Sequence, residues 1–185
     1  GLELVSEDAA AGPLDVPEGA RYDAGGTLGR GGMGEVRAAW DERLGRDVAL
    51  KTAHLGDADA EARLVREAQL TARLEHPGIV PIYDAGRTPD GRPCYAMRLI
   101  RGRALAVVLA ECPDLTARLR AVRHFLDACE AVAYAHGAGV LHRDLTPRNL
   151  MLGDYGETQV VDWGLACEVD APGRGPAEVA GTPGY

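Results

Sequence analysis

The sequence lacks the features of a secreted, membrane-spanning or nucleic-acid-binding protein. No apolar run is long enough to cross a bilayer, and no signal peptide is recognisable. Lysine and arginine together number 20 against 28 aspartates and glutamates, the formal net charge is −8, and no basic block occurs. An acidic chain without a basic patch disfavours nucleic acid as a partner.

Cysteine is also scarce, with four residues in the chain. None of them forms a CxxC pair or stands near a histidine at metal-ligand spacing, so the sequence predicts neither a disulfide framework nor a zinc site. Reduced thiols are typical of intracellular proteins. We therefore expect a cytoplasmic protein whose cysteines mostly serve in packing.

The chain does contain enough apolar sequence for a core, since 46% of its 185 residues are hydrophobic. Residues 1–20 are acidic and aperiodic, and we interpret them as a flexible leader. Because the first residue is glycine rather than methionine, we expect a cut N-terminus. Beyond the leader, strands are predicted at 21–29, 35–40, 47–51, 79–86 and 93–100, with a helix at 57–75.

The second half of the chain has a helical pattern. Apolar residues spaced by three and four positions predict one long amphipathic helix with a single apolar face. A small hairpin is predicted after it, from the runs at 149–152 and 158–164. The β-rich and helical parts meet near residues 101–103, which predicts an α+β fold. The predicted helix face consists of Leu115, Leu119, Val122, Leu126, Cys129, Ala133 and His136.

Four motifs carry residues suited to phosphate chemistry, and the first is LGRGGMGEV at 28–36. Its Gly29, Gly31 and Gly34 allow backbone N–H groups to approach phosphate oxygens closely. A strand, not a helix, continues after it, which argues against a Rossmann dinucleotide site. Taken alone, the motif favours a plain glycine-rich hairpin.

The second motif is VALK at 48–51, where Lys51 ends an apolar strand. A lysine that points inward needs anions, such as nucleotide phosphates and a carboxylate, and Glu67 on the following helix is the candidate carboxylate. Each residue by itself is more typical of a solvated surface position.

The third and fourth motifs are HRDLTPRN at 142–149 and DWG at 162–164. Asp144 is a candidate proton acceptor, and Asn149 is a candidate metal ligand through its side-chain oxygen. Asp162 follows a hydrophobic strand and is a candidate Mg²⁺ ligand. Separately, both motifs are also ordinary turn sequences.

In this order, the four motifs resemble the signature set of the eukaryotic-type protein kinases. The stretches LGRGGMGEV, HPGIVPIYDAG and VVDWGLA are most similar to bacterial serine/threonine kinases. The resemblance implies a two-lobed, protein-kinase-like fold. A β-rich N-lobe with one main helix would occupy 21–101, and an incomplete, mainly helical C-lobe would occupy 102–185.

The resemblance also implies an ATP- and Mg²⁺-dependent protein serine/threonine kinase, with Ser or Thr of protein substrates as acceptor. Lys51 would contact the ATP phosphates and pair with Glu67. Asp144 would be the catalytic base, while Asn149 and Asp162 would hold Mg²⁺. The residues implied to bind the nucleotide are Leu28, Gly29, Arg30, Gly31, Gly32, Met33, Gly34, Val36, Ala49, Lys51, Met97, Arg98, Leu99 and Ile100.

The catalytic loop departs from the family pattern at Thr146. The family usually has a lysine there, which steadies the γ-phosphate, and threonine offers no charge. We hypothesise that Arg148, four residues after Asp144, supplies that charge. Thr182, in GTPGY at 181–185, resembles a threonine that hydrogen-bonds the catalytic aspartate in serine/threonine kinases.

The activation segment also departs from the family pattern, because no Ser, Thr or Tyr occurs between Trp163 and Ala180. We predict no activating phosphorylation there, although Arg143 resembles an arginine that often pairs with a phosphorylated residue. His142 is expected to pack against Trp163. Since the family continues with further helices, we expect a kinase domain truncated after Tyr185. In such a chain we expect the apolar face of the long helix to be exposed.

Two alternatives remain open beside the kinase hypothesis. One is a pseudokinase, an ATP-binding regulatory or scaffolding module, whose only sequence support is Thr146. The other is a small-molecule phosphotransferase, which HRD and GTPGY disfavour. The expected partners are protein substrates and not nucleic acid, with dimerisation through the kinase domain as a further open expectation.

Overall fold

The first half of the chain forms an antiparallel five-stranded sheet, in a computed structural model that describes residues 21–32 and 34–169. The strand order is β1-β2-β3-β5-β4, so the three interior strands β2, β3 and β5 have neighbours on both sides. Gly45, with a φ of 61°, lies in the turn between β2 and β3. The strands are β1 (Tyr22–Gly31), β2 (Gly34–Asp41), β3 (Arg46–Ala53), β4 (Ile82–Arg87) and β5 (Pro93–Arg98).

Helix α1 (Ala58–Thr71) packs against this sheet. The Asp57 carboxylate caps it by accepting the N–H of Ala60 at 2.9 Å. The helix ends four residues before the predicted end at 75, because the N–H of Leu74 bonds to the carbonyl of Thr71 in a tighter turn. Its buried face consists of Ala60, Leu64, Glu67, Ala68, Leu70 and Thr71, so one carboxylate lies in an otherwise nearly apolar surface.

The second half combines helices with short strands. A three-stranded sheet has the order β6-β8-β9, and β7 pairs with β10. The predicted α+β class is confirmed, but the sequence patterns missed β6, α2 and β10, which have two to seven residues each. The elements are β6 (Gly102–Ala104), α2 (Leu105–Glu111), α3 (Leu115–Arg120), α4 (Val122–Gly137), β7 (Val140–Leu141), β8 (Leu150–Gly153), β9 (Thr158–Val160) and β10 (Cys167–Glu168).

The prediction of one continuous long helix was wrong. The helix is broken at Ala121, whose N–H turns back to the carbonyl of Arg118. The predicted apolar face is exposed, as expected, with Leu115 and Leu119 at 71% and 59%. Helix α4 packs instead through small side chains, which allow a close approach to β7 and β9. The buried residues of α4 are Ala128, Ala131 and Ala135.

Backbone hydrogen bonds join the two halves beside the connecting stretch 99–101. The N–H of Val160 donates to the carbonyl of Gly78 at 2.8 Å, and the N–H of Val80 donates to the carbonyl of Val160 at 3.3 Å. The same core cluster includes Ile79 from the first half and Trp163 from the second. No helix within 21–32 and 34–169 is long and apolar enough to cross a membrane.

Candidate active site

A cavity of about 610 Å³ lies between the sheet and the second half of the chain. Its volume is in the range of small-molecule sites. Apart from Met33, which lies outside the described residues, every residue predicted to bind nucleotide lines this cavity, together with Asp144, Asn149 and Asp162. The sequence did not predict six further lining residues, namely Arg63, Val80, Tyr95, Met151, Val161 and Leu165.

The predicted glycine loop is the tip of the β1–β2 hairpin, where Gly31 stands opposite Gly34. A Cβ atom at Gly34 would lie 2.1 Å from the carbonyl oxygen of Thr52 on β3. Glycine is therefore required at this position by the close approach of a neighbouring backbone. The tip is also tied to the segment before α1, since His54 Nε2 donates to the carbonyl of Gly31 at 2.8 Å.

Lys51 lies at the centre of a buried cluster of charges. Its ammonium group contacts both carboxylate oxygens of Glu67, at 2.7 and 2.9 Å, and Oδ1 of Asp162 at 2.9 Å. Burial by itself lowers the pKa of Lys51, but the carboxylates of Glu67 and Asp162 outweigh it and the net pKa is raised. Lys51 is therefore a fixed positive charge inside the cavity.

Asp162 has the left-handed backbone that a turn into DWG requires, with a φ of 62°. Such a conformation is costly for a residue other than glycine and is often found at functional sites. It directs the carboxylate toward Lys51. Trp163 points the other way into the core, where its ring centroid lies 4.6 Å from that of His142. The predicted packing of His142 on Trp163 is confirmed.

The catalytic-loop candidates Asp144 and Asn149 contact each other directly. The Asn149 amide donates to the backbone carbonyl of Asp144 at 2.8 Å and to its Oδ2 at 3.2 Å. His142 Nδ1 accepts the N–H of Asp144 at 3.2 Å, and Nε2 donates to the carbonyl of Val161 at 3.2 Å. Burial lowers the pKa of His142, and both ring nitrogens bond to backbone groups, so the role of this histidine is structural.

Arg143 is held by the residues directly after DWG. Its Nε donates to the carbonyl of Leu165 at 2.8 Å, and its backbone has a φ of 65°. An ion pair between Arg73 and Glu168, at 2.6 Å, lies nearby. The first residues after DWG are thus fixed by contacts to carbonyl and carboxylate oxygens.

Thr146 and Arg148 face in different directions. Thr146 is 4% exposed, and its hydroxyl accepts the N–H of Arg148 at 3.3 Å. Its carbonyl also accepts the N–H of Asn149 at 2.9 Å, so Thr146 stabilises the turn that carries Asn149. Arg148 is exposed and does not line the cavity. Its contact with a γ-phosphate stays a prediction, and Thr182 lies outside the described residues.

The oxygen ligands in the cavity suit Mg²⁺ in combination with a phosphate ligand. Because the amide nitrogen of Asn149 is bonded to Asp144, its Oδ1 is the atom that remains for a metal, beside the carboxylate of Asp162. Within 21–32 and 34–169, no group of three or more His, Cys, Asp or Glu side chains could hold a metal ion by itself. Magnesium is commonly bound by one or two protein oxygens plus substrate phosphates.

Comparisons with known proteins agree with this geometry. The family model of the protein kinase domain matches residues 22–185. Serine/threonine-protein kinase PknD of Protochlamydia amoebophila is 38% identical over 158 residues, 78% of this chain and 16% of the relative. The DNA damage-responsive serine/threonine-protein kinase RqkA of Deinococcus radiodurans is 41% identical over 150 residues, 78% of this chain and 22% of the relative. Serine/threonine-protein kinase PknB of Mycolicibacterium smegmatis is 37% identical over 166 residues, which are 86% of this chain and 26% of the relative. The chain therefore spans a quarter or less of the length of most of these relatives.

Proposed function

The chain belongs to the protein kinase domain family, and on that premise we propose that the full-length protein is an ATP- and Mg²⁺-dependent protein serine/threonine kinase. One observation carries the proposal. Lys51 is held by Glu67 and Asp162 in the same cavity that Asp144 and Asn149 line. This brings together a phosphate-binding cation, two metal-binding side chains and a proton acceptor.

The nucleotide would enter along β3, with its adenine between Ala49 and the stretch after Met97. The N–H of Arg98 already donates to the carbonyl of Pro81 at 3.2 Å, so it is not available to adenine. Hydrogen bonds to the base would therefore come from other backbone groups of residues 98–100. The phosphates would lie toward the glycine tip and Lys51, where backbone amides and a fixed cation meet.

Phosphoryl transfer needs a proton acceptor for the substrate hydroxyl and compensation of phosphate charge. Asp144 would accept the proton, with Asn149 holding its carboxylate in place through the 3.2 Å hydrogen bond. Lys51 would stabilise charge on the phosphates. Mg²⁺ at Asn149 and Asp162 would supply further charge neutralisation.

The choice of acceptor and the division into lobes belong to the same proposal. Serine or threonine as acceptor is supported by the names of PknD, RqkA and PknB, and by the GTPGY sequence with Thr182.

We propose residues 21–101 as the N-lobe, 102–185 as a partial C-lobe and 1–20 as a leader. The connecting stretch 99–101 between the β5 strand and β6 supports that boundary.

The pseudokinase alternative gains no support from the geometry. Its one sequence argument was Thr146, and this residue has a structural role in the turn before Asn149. The charged residues on which catalysis would depend are present and face one cavity.

Transfer of labelled phosphate from ATP tests the proposal directly. The full-length protein should phosphorylate itself or a generic Ser/Thr protein substrate in the presence of Mg²⁺, and Asp144→Asn should abolish the transfer while retaining MgATP binding. Transfer that survives Asp144→Asn, or label on tyrosine alone, would contradict the proposal. A pseudokinase would bind MgATP without transferring phosphate.

A further inference from the structure

Arg63 is an arginine in the cavity that none of the motifs contains. It lies on α1 four residues before Glu67, and residues at that spacing share one side of a helix. Its side chain lines the cavity together with the glycine tip, Lys51 and Asp162. An exposed arginine on a helix is ordinary, so its direction into this cavity is the observation that needs an explanation.

Arg63 lies toward the glycine-tip end of the cavity rather than the adenine end. Strand β3 runs from Ala49, beside the adenine stretch, to Ala53, which pairs with Gly34 at the tip. The segment from His54 leads directly into α1, and His54 bonds to the carbonyl of Gly31. The first turns of α1 are therefore near the tip, where the last phosphate of a nucleotide would lie.

Two other cations of the cavity, Lys51 and Arg30, already have carboxylate partners. Lys51 is shared between Glu67 and Asp162, and Arg30 pairs with Glu35 at 3.4 Å. Arg98 belongs to the adenine end. Within 21–32 and 34–169, Arg63 donates one hydrogen bond, from Nε to the carbonyl of Asp59 at 3.2 Å.

No carboxylate among residues 21–32 and 34–169 lies within ion-pair distance of Arg63. A guanidinium has five N–H donors, so most of the donors of Arg63 have no acidic partner in that part of the chain. Phosphate oxygens are ligands that such a group binds well, often through two parallel hydrogen bonds.

We propose that Arg63 binds the terminal phosphate of the nucleotide and supplies the positive charge that Thr146 does not. The inference rests on the proposed function, because it requires a nucleoside triphosphate in the cavity. It assigns to α1 a role that the sequence hypothesis gave to Arg148, which is exposed and does not line the cavity.

The test compares the affinity for MgATP with that for MgADP, since these two ligands differ by the terminal phosphate. In the full-length protein, Arg63→Ala should raise the Kd for MgATP about ten-fold, a typical loss for one charge-assisted contact, and change the Kd for MgADP less than about two-fold. Arg63→Lys should recover part of the loss. Arg66→Ala is the matched control, because Arg66 lies on the same helix, is exposed and does not line the cavity.

Each other outcome has a definite meaning. An equal loss for MgATP and MgADP would overturn the proposal, because it would show an indirect effect through α1 and Glu67. A loss confined to MgATP in Arg148→Ala, with Arg63→Ala unchanged, would assign the contact to Arg148 instead. If the unmodified protein binds neither nucleotide, the proposed function fails as well. If it binds both and Arg63→Ala changes neither, only the role of Arg63 fails.

Discussion

The Tyr95 hydroxyl donates a hydrogen bond to Oε1 of Glu67 at 2.7 Å, the same oxygen that accepts from Lys51. Lys51 and Tyr95 are direct cross-strand partners on β3 and β5. Two neighbouring strands therefore hold one carboxylate of α1, and the position of that helix depends on both. Burial, followed by the charge of Glu67, raises the pKa of Tyr95 well above its ordinary value, so the phenol remains a donor.

Removing this hydroxyl should loosen the helix without breaking the ion pair. Tyr95→Phe is expected to lower the free energy of unfolding by about 1 kcal/mol, the usual net value of one hydrogen bond. We expect phosphoryl transfer to fall several-fold, while Glu67→Gln reduces it far more. Denaturant unfolding and steady-state kinetics measure the two effects. Tyr155→Phe is the control, since Tyr155 is 98% exposed, and equal behaviour of both variants would contradict the prediction.

Gly34 should not tolerate even the smallest side chain. Gly34→Ala would place a methyl group against the Thr52 carbonyl, and we expect a loss of about 1–3 kcal/mol in stability, as for other overpacked sites. MgATP affinity should fall too, because the hairpin tip lines the cavity. Gly26→Ala on β1 is the control, since no atom lies within 4 Å of its added Cβ. Thermal unfolding that is the same for both variants would refute the steric argument.

Thr146 should matter through its hydroxyl and not through its size. Thr146→Val keeps the shape but removes the acceptor for the Arg148 N–H, and we expect a loss of about 1 kcal/mol in unfolding free energy. Transfer should also slow, because the turn positions Asn149. Thr146→Ser retains the hydroxyl and should stay close to the unmodified protein in both measurements. Unchanged stability and transfer in Thr146→Val would contradict the prediction, because the turn would then not depend on this hydrogen bond.

Acidification should destabilise the protein through His142. Burial lowers the pKa of His142 below its ordinary value of 6.5, so the folded state disfavours the protonated ring. The corresponding stability is present above pH 6.5 and is lost as the pH falls through the folded-state pKa. We expect the melting temperature to drop between about pH 7 and about pH 5, and to drop less in His142→Phe.

His124 limits how much of that acid sensitivity one substitution can remove. Its pKa is also lowered, first by burial and then by the charge of Arg123, although Asp127 acts in the opposite direction. The melting temperature of His142→Phe should therefore keep a residual pH dependence. Identical slopes in the variant and the unmodified protein would exclude His142 as a cause.

The sequence predicted the parts of the site in which side-chain chemistry and spacing coincide. Lys51, Glu67 and Asp162 were identified by their motifs, and the structure brings them into contact. Arg63 could not be found in this way, because an arginine on an exposed helix is common and its direction depends on how α1 packs. Its spacing of four residues from Glu67 was the one available signal.

For the helix at 115–136, the sequence pattern predicted neither the break nor the residues through which the helix packs. Hydrophobic periodicity gives weight to leucine and valine, but the packing of α4 depends on the small size of Ala128, Ala131 and Ala135. The break at Ala121 carries no glycine or proline signal, since alanine is a good helix former. Short elements such as β6 are stabilised by pairing with a neighbouring strand, and their own sequence does not specify them.

The hydrogen bonds at Val160 have a mechanical consequence. The chain passes once between the two halves of the described structure at 99–101, and the bonds of Val160 to Gly78 and Val80 form a second attachment. Two attachments define an axis, so swinging about the line between them is the displacement that breaks fewest backbone bonds. Sliding of one half along the other would first have to detach Val160. We therefore expect the cavity to open by rotation about this axis, with the adenine end near the axis and the glycine tip moving farthest. Such opening would also have to separate Lys51 from Asp162.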